Sequence, residues 1–132
     1  FFPDNGPEGR RFVSGYRGSK SSTLEGGVRS PLFARWKGHL APGARTGRVA
    51  AHIDILPTVL EACSVPLPDG LKIDGVSFLA ELENRAVKRD PRTLVIQAHR
   101  GDEPLLYHNF MARNGRWKLV HPSAFWRDTF EG

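Results

Sequence analysis

Two polar clusters near the start of the chain carry residue types that could do chemistry. In Asp4-Asn5-Gly6-Pro7, adjacent carboxylate and amide side chains sit on a tight turn, and their oxygens are hard ligands of the kind Ca²⁺ or Mg²⁺ takes. The second cluster runs from Gly15 to Gly27 and holds Gly15, Gly18, Gly26 and Gly27 together with Lys20, Ser19, Ser21, Ser22 and Thr23, with no apolar periodicity. Glycines let backbone approach a ligand closely, hydroxyls offer hydrogen bonds, and the ammonium of Lys20 is a compact charge suited to a tetrahedral anion. Plainer readings stand beside these. Asn5-Gly6 is a turn dipeptide in its own right, and a lysine in a Gly/Ser loop can simply be solvated.

The two clusters together resemble a known family. Phe1-x-x-Asp4-Asn5-Gly6-Pro7, followed by Tyr16-Arg17-Gly18-x-Lys20-x-Ser22-Thr23-x-Glu25-Gly26-Gly27-Val28-Arg29-x-Pro31, is similar to the second half of the sulfatases of the alkaline-phosphatase-like superfamily. Further matches are His52 to Leu60, Val65-Pro66-Leu67-Pro68, Ile73 to Ser77, and Arg113 to Leu119. The resemblance implies that Asp4 and Asn5 complete a divalent-cation site, usually calcium, and that Lys20 binds the substrate sulfate. Ser19 and Ser21 stand where glycines are frequent in the family, and Leu24 where an aromatic is common.

Sulfatases convert a Cys or Ser in a Cys/Ser-x-Pro-x-Arg motif to formylglycine. That motif is not found here, since Cys63 lies in Ala62-Cys63-Ser64-Val65-Pro66 and lacks the Pro and Arg. The resemblance therefore implies that formylglycine belongs to an N-terminal part beyond this chain. Phe1-Phe2-Pro3 reads as the tail of a buried strand, and with no Met start or signal peptide the expectation is a piece of a longer protein, inert alone.

Composition narrows the function classes. The 132 residues carry 19 Lys and Arg against 14 Asp and Glu, a net charge of +5, and these are interleaved along the chain. That pattern suits a solvated surface, and no basic helix or RNA-binding signature points to nucleic acid. A single cysteine, Cys63, excludes an internal disulfide. It falls in an apolar helical pattern and is expected to be buried. No stretch has the apolar length of a transmembrane helix. The resemblance is compatible with a periplasmic or extracellular setting, and oligomeric state is not legible.

The elements that must position the clusters are read from periodicity. Pro31 to Trp36 is an apolar run expected to form a buried strand anchoring the glycine loop. Ile55, Leu56, Val59, Leu60 and Cys63 fall on one stripe of a helix, with Asp54 as its expected N-cap and Pro57 in its first turn. His52 and Asp54 read as structural. Ser77 is expected to cap a short helix over Phe78 to Leu82. Leu94-Val95-Ile96 reads as strand, and Tyr107 to Ala112 and Trp117 to Val120 flank Asn114-Gly115, a type I′ hairpin signal. Between them His99-Arg100, at a strand end, are candidate substrate contacts, or a salt-bridged surface turn.

The expected fold is α/β. Residues 1–82 would be the C-terminal portion of an alkaline-phosphatase-like α/β sandwich, and 83–132 the start of a small C-terminal antiparallel subdomain. The expected function, implied by the resemblance, is metal-dependent cleavage of a sulfate ester on a sulfated small molecule or glycan. Hydrolysis of a phosphate or phosphonate monoester by a relative of the same superfamily is one alternative. A non-catalytic anion- or glycan-binding module is the other.

Overall fold

The computed structural model describes residues 1–9, 11–99 and 102–121. Helices and a three-stranded antiparallel sheet make the chain α/β, and its contacts fall into two compact units, Phe1–Phe33 with Pro91–Gly132, and Ala34–Asp90.

The first unit is built on the sheet β1 (Thr93–Gln97), β2 (Phe110–Asn114) and β3 (Trp117–His121), in that spatial order. Strand alternation divides its side chains between two faces. Leu94, Ile96, Met111, Arg113, Lys118 and Val120 share one face, on which Leu94 and Met111 are buried; Val95, Leu119 and Trp117 on the other are exposed. The hairpin lies one residue later than Asn114-Gly115 suggested. Asn114 pairs with Trp117, so the turn is Gly115-Arg116 with Gly115 alone at positive φ, 51°. Glycine at the first central position is the type II′ pattern rather than type I′. β2 also starts late, because Tyr107 and Asn109 adopt φ of 57° and 40° and break the extended run.

The run Pro31 to Trp36 is not a buried strand. It has no regular secondary structure and is largely exposed, and Phe33 makes a reciprocal bond with Phe1: the Phe33 amide donates to the Phe1 carbonyl at 2.8 Å and the Phe1 amine to the Phe33 carbonyl at 2.7 Å. A single hydrogen-bonded pair, with the two rings stacked at 6.3 Å, does not make a ladder. The glycine loop in turn is not wholly irregular, since Glu25–Val28 forms one helical turn, α1.

The second unit contains a 3₁₀ turn (His52–Asp54) running into α2 (Ile55–Ala62), and α3 (Leu79–Leu82). Asp54 does not cap α2. Its backbone is already helical, and its fully buried carboxylate accepts from the Ala51 amide and, farther along the chain, from the Val76 amide, both at 2.8 Å. Thr58 extends the same seam, its hydroxyl donating to the Asp54 carbonyl and accepting from the Phe78 amide. Asp54 and Thr58 thus pin the segment around Val76 to Phe78 against the helix, consistent with a structural role.

The expected apolar stripe is not a buried face. Leu56 and Val59 are about half exposed and Cys63 is exposed, because the packing within this unit falls on Pro57 and Thr58. α3 starts at Leu79, whose amide donates to the Ser77 hydroxyl oxygen at 3.2 Å. Glu81 receives Arg48 and Arg89, at 2.6 and 3.1 Å. No helix among the described residues is long and apolar enough to cross a membrane.

Candidate active site

The two polar clusters meet backbone to backbone. The Gly6 amide donates to the Gly27 carbonyl at 2.7 Å, and the Lys20 amide to the Pro7 carbonyl at 3.0 Å. Gly6 is buried there, and a Cβ on it would overlap the Gly26 carbonyl. A further bond, from the Gly26 amide to the Arg17 carbonyl at 2.7 Å, closes the loop on itself. The turn bearing Asp4 and Asn5 is in this way fastened to the middle of the loop, at Lys20, and to its C-terminal end, at Gly27. Asp4 and Lys20 are exposed and Asn5 is half-buried, so their polar ends are available to a ligand.

The loop is also held from the sheet. Glu25 is the hub: Lys118 Nζ stands 2.6 Å from its Oε1, Arg113 Nη1 3.5 Å from the same atom, and Arg29 Nη1 3.7 Å from Oε2. Burial would raise this carboxyl, but the hydrogen bond from Lys118 and the charges of Lys118, Arg113 and Arg29 outweigh it and hold the group below its ordinary 4.5. Arg29 in addition covers the Tyr16 ring at 4.8 Å.

A second tie comes from Asn109. Its side-chain nitrogen donates to the Ser21 carbonyl and to the Ala98 carbonyl, both at 3.1 Å. Ser21 has φ of 71°, in the left-handed region that favours glycine, which gives a physical reason for the glycine that the family resemblance expects at this place. Within the loop Thr23 is fully buried, and its hydroxyl has no hydrogen-bond partner among the described residues.

His99 is exposed just past β1, one residue beyond Ala98. One amide nitrogen therefore links the neighbour of His99 to the neighbour of Lys20. Arg100 lies outside the described residues. Sequence reasoning missed Glu25, Lys118, Arg113 and Asn109 as supports of the site. The glycines around Glu25 drew attention to the loop, but nothing local marks its partners.

For a divalent cation, Asp4 and Asn5 offer the right chemistry. A carboxylate and an amide oxygen on a fixed turn fit as contributors to the roughly six to eight oxygens calcium takes. Among the described residues no group of three or more His, Cys, Asp or Glu could hold a metal ion, so these two would be a partial set.

No family model matches the chain. Among curated proteins it is similar to arylsulfatase A of Bos taurus, 37% identical over 123 residues, which is 89% of this chain and 23% of that protein. It is 44% identical over 80 residues to arylsulfatase A of Homo sapiens, 57% of this chain and 15% of that one. It is also 42% identical over 69 residues to the uncharacterized sulfatase YdeN of Escherichia coli, 52% of this chain and 12% of that one. The chain spans less than a quarter of the length of these relatives. Similarity this high to several sulfatases, over a short part of each, means that the chain belongs to the sulfatase family as a fragment of such a protein.

Proposed function

We propose that the enzyme containing this chain hydrolyses a sulfate ester, and that this segment supplies part of its sulfate and cation sites. The observation that carries the reading is the pair of backbone bonds, Lys20 to Pro7 and Gly6 to Gly27, which hold the one loop lysine beside the Asp4-Asn5 turn. Lys20 pairs its ammonium with a sulfate oxygen. Asp4 and Asn5 hold a calcium or magnesium ion through their side-chain oxygens. Such an ion, when bound, shares the negative charge of the oxygens around sulfur. His99 and Arg100 contact the organic part of a sulfated small molecule or glycan.

The nucleophile in this proposal is a formylglycine outside this chain, so the 132 residues alone turn nothing over. Residues 1–82 belong to the catalytic α/β domain and 83–132 begin the antiparallel subdomain.

Steady-state kinetics on the full-length enzyme test the central assignment. Lys20→Ala removes a point charge from the anion site and is expected to lower kcat/KM by on the order of 10²-fold, as comparable electrostatic deletions do. Lys20→Arg keeps charge without the compact geometry and rescues in part. Lys37→Ala, at an exposed turn, leaves the rate near wild type. Equal losses at positions 20 and 37, or none, would mean that Lys20 does not bind sulfate.

A further inference from the structure

We infer that Asn109 is a positioning residue for Lys20, fixing from the sheet the backbone on which the sulfate-binding ammonium is mounted. The inference rests on the reading of Lys20 given above. An exposed lysine is a charge on a long flexible stem, so what the fold can control is the place and direction of the stem's base. That base is held on both sides. The Lys20 amide is bound by the Pro7 carbonyl, and the next residue, Ser21, has its carbonyl bound by Asn109 Nδ2 at 3.1 Å.

The bond from Asn109 joins two residues that are both in the left-handed region, Ser21 at φ 71° and Asn109 at φ 40°. Backbone in that region costs free energy for a side chain with a Cβ, and it persists where the surroundings over-determine it. Asn109 is only 1% exposed, so its amide is committed to protein partners rather than to water. Closing the connection between β1 and β2 accounts for one of these bonds, to Ala98, together with the Ala98 amide on the Asn109 carbonyl at 3.0 Å. It does not account for the other, which reaches back 88 residues to the position directly after Lys20.

The same nitrogen holds Ala98, the residue before His99. Asn109 thereby sets the separation between the base of Lys20 and the base of His99. A side chain that fixes the spacing of two groups facing one substrate affects how well they engage it, beyond any effect on stability.

The experiment is a double-mutant cycle in the full-length enzyme with an aryl sulfate as substrate. Asn109→Gly removes the amide and tolerates the left-handed backbone, so it separates the clamp from the conformation. With Lys20 present, the variant is expected to lose on the order of tenfold in kcat/KM, a usual coupling for neighbouring groups. In the Lys20→Ala background the same change is expected to cost under about twofold, since the group it positions is gone.

Asn109→Asp, which keeps the shape and removes the donor, is expected to behave like Asn109→Gly. Melting temperatures of all variants accompany the rates. Equal losses with and without Lys20 would assign Asn109 to the fold alone and overturn the inference while leaving the sulfate reading intact. So would failure of both Asn109 variants to fold. A Lys20→Ala enzyme as fast as wild type would overturn the sulfate reading, and this inference with it.

Discussion

Gly6 lies directly against Gly26: its own amide is bound to the Gly27 carbonyl at 2.7 Å, and there is no room for a Cβ beside the Gly26 carbonyl. Contact between the Asp4-Asn5 turn and the loop bearing Lys20 is thus a backbone-to-backbone contact that only glycine permits. Gly6→Ala must force the two apart, because the obstacle is backbone and not the end of a flexible side chain. The expected cost is at least about 2 kcal/mol in stability, with activity lost alongside. Gly47→Ala, where a Cβ meets open space, is expected to stay within about 0.5 kcal/mol of wild type. Thermal melts of the two variants make the comparison, and equal melting temperatures would refute it.

Asp4→Ala in the full-length enzyme removes a charged oxygen donor and is expected to lower bound calcium or magnesium and turnover together. Asp4→Asn keeps an oxygen and loses the charge, so an intermediate metal content is expected. Elemental analysis of the purified proteins reads this out. Unchanged stoichiometry in Asp4→Ala would leave the motif as a turn only.

The Glu25 carboxyl is held below its ordinary 4.5 by its three cations, against the opposing effect of burial. A depressed carboxyl contributes stability that is present above the unfolded value and lost as pH falls through the folded one. Glu25→Gln is therefore expected to be less stable than wild type at pH 7 by about 1 kcal/mol, the upper end for partly exposed pairs. The gap should close below about pH 4.5 as wild type loses the same interaction. Urea titrations of both proteins at the two pH values check the sign, and a gap that widens in acid would be contrary to it.

Much of this was legible from local signals. Asn114-Gly115 announced a hairpin because glycine at a tight turn has few other uses, yet the register slid by one, since either residue next to that glycine can open the turn. The Asp4-Asn5 and Lys20 clusters stood out by composition alone. Their joining did not, because Gly6 meeting Gly27 is a matter of backbone approach and leaves no periodicity. Lys118 and Glu25 are 93 residues apart, and a sequence with 19 basic side chains does not say which of them a given carboxylate will meet. The apolar stripe of α2 is legible as a pattern, but the burial expected of Cys63 is not found, since periodicity tells which residues share a side and not whether anything covers it.

The ties from Ser21 to Asn109 and from Glu25 to Lys118 have a consequence in time. Each closes a span of about 90 residues, whereas the unit Ala34–Asp90 is continuous in the chain and depends on bonds such as Asp54 to Val76, only 22 residues apart. Long closures carry the larger entropic cost and form later, and a nascent chain offers its N-terminal residues first. The middle of the chain is thus expected to acquire protected amides while Lys20 still waits for strands not yet synthesised. A ribosome halted before residue 109 would then hold a chain whose interior segment can close while the loop bearing Lys20 lacks both of its ties to the sheet.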